Sequence, residues 1–101
     1  MQQINKVDLE NNNLLLITFK QMWDQDDISD LSELIFSQFD GARIIEAVTG
    51  ADRQYYRFNY HNEYLILHFE SYSNACWLEP EDQQSSEKIA DIGRYLQHNI
   101  I

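Results

Sequence analysis

Three side chains that can donate or accept a proton, those of Glu46, Tyr55 and His68, lie on three successive alternating segments in the middle of the chain. A carboxylate, a phenol and an imidazole held close together can carry out general acid–base catalysis, and Trp77 would add an aromatic wall. Such a set suggests a small hydrolase or a ligand-binding protein. It forms only if the strands that carry these residues place them side by side.

Four alternating segments, at about residues 43–49, 54–60, 63–70 and 75–79, are joined by the short links TGAD, HN and SYSN. Short, turn-rich links of this kind favour an antiparallel meander. If each loop has an even number of residues, Glu46, Tyr55, His68 and Trp77 share one row across four strands, and Arg57 lies diagonal to Glu46. One extra residue in TGAD or SYSN would break that row.

The alternation divides the apolar and aromatic residues of the meander between two faces. The face predicted as core carries Ile45, Ala47, Tyr56, Phe58, Leu65, Leu67, Phe69, Cys76 and Leu78. The second face carries Ile44, Glu46, Val48, Tyr55, Arg57, Tyr64, Ile66, His68, Trp77 and Glu79, with Leu14 and Leu16 as an extension. The apolar and aromatic side chains of this second face form a patch that is larger than soluble monomers usually expose. One of the chain's own helices, a second copy or a different partner would have to cover it.

The rest of the chain predicts a hairpin and two helices. In the hairpin, residues 6–19, Val7 faces Ile17 and Leu9 faces Leu15. The stretch WDQDDISDLSELIFSQFDG has helical spacing, acidic residues at its start and Gly41 as its expected cap. A second helix is expected in the tail, with Pro80 near its start and a stripe formed by Ile89, Ile92, Leu96 and Ile100.

The predicted fold class is therefore α+β: a two-layer domain over residues 1–101 in the order ββ-α-ββββ-α, with an antiparallel sheet. The sequence does not determine which edge of the meander the N-terminal hairpin joins.

The sequence gives no support for a metal or cofactor site. In the acidic stretch DQDDISDLSE, a calcium loop would need ligands or Gly where the chain has Ile28, Ser29 and Ile35. The three histidines lack zinc spacing, and Cys76 and His68 are predicted on opposite faces. No phosphate loop, nucleophile elbow or dinucleotide fingerprint occurs. We therefore assign no catalytic residue, metal or cofactor, and the question of enzyme activity stays open.

The charge balance also limits the expected partners. The formal net charge is −10, from 17 acidic and 7 basic side chains. Such a chain repels nucleic acid and anionic membrane surfaces. Its longest aliphatic run, LLLI, is far shorter than the roughly 20 residues of a membrane span. With one cysteine and no apolar leader, the sequence predicts a cytoplasmic protein.

The segments GADRQYY, YLILHFE and CWLEPE resemble a family of small acidic bacterial proteins, chiefly from gammaproteobacteria, that is catalogued as a domain of unknown function. The resemblance extends over most of the chain and implies no activity. It also implies that Trp77, Glu70 and Glu79 belong to the family pattern without known roles.

We predict a protein-binding or self-association module that acts through the second sheet face, either as a homodimer or with another protein. The expected interface residues are Tyr55, Arg57, Tyr64, Ile66, His68, Trp77 and Glu46. One alternative is a ligand-binding protein or hydrolase that uses His68, Glu46 and Tyr55, which requires a concave pocket. Another is an acidic inhibitor or immunity-type protein that binds a basic partner through DQDDISD.

Overall fold

A computed structural model describes residues 2–11, 13–82 and 84–100. These residues form six strands and two α-helices in the predicted order, which confirms the α+β class and the two layers. The strands are β1 Ile4–Glu10, β2 Leu14–Phe19, β3 Ala42–Thr49, β4 Arg53–Tyr60, β5 Glu63–Glu70 and β6 Ala75–Pro80. The helices are α1 Ile28–Phe36 and α2 Glu87–His98. Neither helix is long and apolar enough to cross a membrane.

All neighbouring strands of the single sheet are antiparallel, in the order β1-β2-β6-β5-β4-β3. The N-terminal hairpin thus joins the meander beside β6. Its predicted register is confirmed, because Val7 pairs with Ile17 and Leu9 pairs with Leu15.

The predicted register is also confirmed for two of the three meander pairs. Tyr55 lies opposite His68, and His68 lies opposite Trp77. The turn between β4 and β5 has positive φ at both His61 and Asn62, as a two-residue hairpin of type I′ requires.

The register between β3 and β4 differs from the prediction. Glu46 pairs with Arg57, and Val48 takes the place opposite Tyr55 that Glu46 was expected to occupy. The last pair is Thr49 with Gln54, so four residues separate the paired positions, two more than the predicted register allows. The prediction that Glu46 belongs to the row of Tyr55, His68 and Trp77 is therefore wrong, because the strand is shifted by two residues.

A β-bulge in β3 causes a second difference at the edge of the sheet. The register shifts between Ile44 and Glu46, so that Ile45 is the additional residue. Ile44 consequently pairs with Phe58 and lies on the helix side, not on the second face as predicted. Ile44 is 50% exposed and Ile45 is 42% exposed, so this edge strand contributes little to the core.

The core lies between one face of the sheet and the two helices. Burial alternates along the central strands, from Tyr56 onward in β4, from Leu65 onward in β5 and throughout β6. The buried strand residues include Leu15, Ile17, Phe19, Tyr56, Phe58, Tyr60, Leu65, Leu67, Phe69, Cys76 and Leu78. Ile28, Leu31, Ile35, Ile89, Ile92 and Leu96 cover them from the helices. Removal of this apolar surface from water is the main force that holds the two layers together.

The opposite face of the sheet, which we call the open face, has no buried residue among those described. Its side chains on β4, β5 and β6 are all half-buried or exposed. Both helices pack on the other side. Of the three coverings considered from the sequence, a helix of this chain is therefore excluded for the described residues.

The acidic stretch before α1 caps the helical segment, as predicted. A short 3₁₀ turn, Gln25–Asp27, precedes the helix, and Asp24 accepts a hydrogen bond of 2.9 Å from the backbone N–H of Asp26. In return, the Asp27 carboxylate accepts one of 3.0 Å from the backbone N–H of Asp24. These carboxylates satisfy the donors that a helix start leaves without partners.

Two helix boundaries differ from the prediction. α1 ends with Ser37 as its C-cap, and Gly41, at φ 96°, directly precedes β3 instead of capping the helix. Pro80 is the last residue of β6, and α2 begins seven residues later, at Glu87, behind the N-cap Ser86. Ile100 lies beyond the end of α2 but still packs against the core.

Candidate functional site

One continuous row of apolar and aromatic side chains crosses the open face. From β3 to β2, successive cross-strand partners are Val48, Tyr55, His68, Trp77 and Leu16. We call these five residues the aromatic row. Three of them are the predicted members Tyr55, His68 and Trp77, and Leu16 is the predicted extension.

The three central rings of the aromatic row contact one another. The His68 ring stacks on Trp77, with centroids 4.8 Å apart and planes 11° from parallel. The Tyr55 ring lies 5.8 Å from His68 at an angle of 45°. Stacked and offset aromatic pairs stabilise each other beyond the area that they bury. The row is therefore an ordered strip across three strands.

Glu79 is the carboxylate that accompanies His68. Its Oε1 lies 2.9 Å from Nε2 of His68, although the N–H direction does not meet hydrogen-bond geometry, so the contact is an ion pair when His68 is protonated. Burial of the imidazole lowers the pKa of His68, and Glu79 opposes this shift only in part. Arg53 lowers the pKa further. The imidazole is therefore mainly neutral near pH 7.

A second row beside the aromatic row carries Glu46, Arg57, Ile66 and Glu79. The Arg57 guanidinium lies 4.5 Å from the centroid of the Tyr64 ring and forms an ion pair with Glu81. The hydrogen bond to Glu81 raises the pKa of Arg57. These contacts hold the long Arg57 side chain flat on the sheet.

The predicted acid–base set is not assembled in this structure. Glu46 lies opposite Arg57, while Glu79 contacts His68 from the diagonal position. Sequence reasoning placed Glu79 on the correct face but did not pair it with His68. The signal was available, because diagonal neighbours on one face lie within reach of long side chains.

The principal cavities of the described residues do not form at the aromatic row, where a hydrolase would need its pocket. Their volumes are about 190 to 640 Å³, and none of them is lined by Tyr55, His68 or Trp77. Small-molecule sites are concave and bury most of their ligand. The arrangement of the aromatic row suits contact with another extended surface better than enclosure of a small substrate.

Neither a metal centre nor a reactive thiol accompanies the row. In residues 2–11, 13–82 and 84–100, no group of three His, Cys, Asp or Glu residues is arranged to hold a metal ion. Cys76 is buried on the helix side, as the alternation predicts, and burial raises its pKa well above the ordinary value. A buried neutral thiol is a core side chain and a poor nucleophile.

Comparison with known proteins adds a family but no activity. The family model described as "Protein of unknown function (DUF3630)" matches residues 3–98. No curated protein matches the chain, and no solved structure matches it either.

Proposed function

We propose that this chain, which belongs to the DUF3630 family, is a self-associating interaction module whose open face packs against the open face of a second copy. The observation that carries the proposal is the aromatic row, which the chain's described residues leave uncovered. The predicted interface residues Tyr55, Arg57, Tyr64, Ile66, His68, Trp77 and Glu46 all belong to this face.

The composition of the open face is that of a protein interface. The aromatic row supplies an apolar centre with one Tyr and one Trp, and Tyr64 beside it is 43% exposed. Such residues supply large contact area with few rotatable bonds and dominate interface energetics. Polar groups surround this centre, including the Arg57–Glu81 and Arg53–Glu70 ion pairs.

The distribution of charge favours a second copy as the partner. The register places six acidic and four basic side chains on or beside the open face: Asp8, Glu10, Glu46, Glu70, Glu79, Glu81, Lys6, Arg43, Arg53 and Arg57. The open face thus carries a net charge of about −2, and the rest of the molecule carries about −8 of the total −10. Two copies that meet through their open faces keep their acidic surfaces apart, which limits repulsion.

The size of the open face also fits a dimer. Six strands at roughly 4.8 Å spacing, each about seven residues long at roughly 3.3 Å per residue, present roughly 700 Å² per copy. A standard interface buries about 800 Å² per partner. Two such faces related by a two-fold axis would pack as in a β-sandwich, with the same patch used by both copies.

The test is the solution mass by light scattering between about 1 µM and 1 mM, the concentration range of ordinary affinities. We expect a dimer for the unchanged chain. Trp77→Glu places a charge in the centre of the proposed interface and should give a monomer, because an unpaired buried charge is costly. The matched control Tyr95→Glu makes a similar change on α2, where Tyr95 is 50% exposed, and should leave the dimer intact.

Circular dichroism and thermal unfolding of both variants establish that each is folded. A monomeric unchanged chain at 1 mM would overturn self-association and leave a different protein as the partner of the open face. A Trp77→Glu variant that stays folded and dimeric would place the interface elsewhere. Loss of the dimer in both variants would show a general effect of charge and would equally contradict the proposal.

A further inference from the structure

A second surface lies on the other side of the molecule, where the segment between β2 and α1 meets the helix. A groove of about 640 Å³ opens there, lined in part by Gln21, Met22, Asp30, Glu33 and Leu34. Its volume is within the range of sites that bind ligands or side chains of a partner. None of its lining residues belongs to the open face.

Met22 is the most unusual residue of the groove, because its side chain is 88% exposed. The backbone is held in place on both sides of it. Gln21 exchanges two hydrogen bonds of 2.9 Å with the Gln2 amide, and Trp23 binds the Asn74 amide through bonds of 2.9 and 2.7 Å. Two fixed neighbours thus present a flexible apolar side chain to solvent, and methionines of this kind are frequent on surfaces that bind peptides.

The rim of the groove is acidic. Asp27, the residue before α1, and Asp30 and Glu33 on α1 lie next to Leu34, which is half-buried. Among the ion pairs of the described residues, none involves these three carboxylates. Acidic side chains thus lie beside the half-buried Leu34 and close to Met22 at this groove.

We infer that this groove binds a basic amphipathic helical segment of a partner protein. Apolar side chains of the segment would contact Met22 and Leu34, and its Lys or Arg residues would meet Asp30 and Glu33. Such helix-in-groove binding combines apolar anchors at helical spacing with flanking charges. The surplus of negative charge outside the open face would also speed the encounter with a basic partner.

The probe is a fluorescein-labelled synthetic peptide of 18 residues, with Leu along one helical face and Lys at the other positions. Fluorescence anisotropy measures its binding to the full chain. We expect Asp30→Asn with Glu33→Gln to weaken binding roughly tenfold, since each charge pair at a partly desolvated interface contributes modestly. Met22→Ala should weaken it roughly threefold through lost apolar contact, and because Met22 is 88% exposed the substitution leaves the core intact.

The matched control is Asp52→Asn with Glu10→Gln, which removes two exposed carboxylates away from the groove. It should change the affinity less than twofold. Equal losses in both double variants would show that the overall charge attracts the peptide, and the inference would be overturned. Unchanged binding by Met22→Ala would likewise remove the groove from the interaction.

Two further measurements separate this surface from the open face. The same peptide with Glu in place of Lys should not bind, and Trp77→Glu should bind the original peptide as the unchanged chain does. Amide chemical shifts should change around Met22 and α1. Shifts confined to the open face would contradict the inference, even if the proposed dimer is found.

Discussion

Gly93 permits a quantitative test of how tightly α2 packs on the sheet. It is a buried residue in the interior of α2, where Gly costs about 1 kcal/mol relative to Ala. A Cβ atom at this position would lie 3.1 Å from Cδ1 and 3.8 Å from Cδ2 of Leu15. The gain in helix propensity therefore competes with a steric clash against one side chain.

In the otherwise unchanged chain, the cost of the clash should exceed the gain in helix propensity from Gly93→Ala. Leu15 is 1% exposed and has little room to move, and overpacking of a dense core costs about 1–3 kcal/mol. We expect Gly93→Ala to lower the free energy of unfolding by about 1 kcal/mol, as the difference between these two effects.

Leu15→Val removes both δ carbons and with them the clash. Alone it should cost about 1 kcal/mol, as for the loss of one buried methylene. In this background Gly93→Ala should instead raise the free energy of unfolding by about 1 kcal/mol, because only the propensity gain remains. The coupling energy between the two substitutions is then about 2 kcal/mol in the favourable direction.

Urea unfolding of the four proteins, followed by far-UV circular dichroism, measures this cycle. The slope of the free energy against urea must stay the same in all four, so that the values compare the same transition. A Gly93→Ala protein that is more stable than the unchanged chain, with a coupling energy below about 0.5 kcal/mol, would refute the reasoning. It would show that Leu15 yields and that the helix–sheet contact is loose.

Three further results are expected. Asn74→Ala should lower the free energy of unfolding, measured in urea, by about 3 kcal/mol, because the side-chain amide of Asn74 binds the backbone of Trp23 and Ser71 and its backbone has a φ of 53°. Asn74→Gly, which also loses the amide but tolerates the positive φ, should recover part of this loss. Because burial lowers the pKa of His68, the unfolded chain binds its proton more readily, and stability should fall as the pH drops below about 6.5. In the His68→Gln variant, the thermal unfolding midpoint should depend less on pH below about 6.5. An unchanged pH profile would contradict the assignment of this effect to His68. Cys76 should react with a thiol reagent only after unfolding, so rapid reaction of the native protein would show that its site opens.

Much of the sheet could be predicted because burial imposes the register. On β4, β5 and β6 every second residue is buried, so a slip by one position would expose residues such as Leu65 and Leu67 to water. The loops in this region, HN and SYSN, have the even lengths that the prediction assumed. Alternation and loop length therefore agree, and the resulting row of Tyr55, His68 and Trp77 is the one in the structure.

The register of β3 could not be predicted, because burial hardly constrains it. Most of its side chains are exposed, including Ile44 and Ile45, so apolar residues do not reveal which positions face the core. The four residues between the paired Thr49 and Gln54 then shift Glu46 away from Tyr55, and the bulge at Ile45 moves Ile44 to the helix side. Edge strands commonly carry bulges, and a bulge leaves no clear mark in a single sequence.

The open face follows from the number of helices that this chain can supply. The sheet is roughly 29 Å wide, from six strands at about 4.8 Å, and a helix with its side chains is about 10 Å across. Two helices cover roughly 20 Å of one face, and the remaining width is filled by Trp23, against Phe69, and by Phe39, against Phe58 and Tyr60.

With one face completed in this way, the described residues offer no third element to place over the aromatic row. The rings of Tyr55, His68 and Trp77, on a central part of the sheet, then stay partly in contact with water, at a cost that grows with their apolar area. A partner that covers them recovers this free energy. Because the open face carries about −2 of the net charge of −10, the proposed contact between two such faces meets less repulsion than contact through the rest of the surface would.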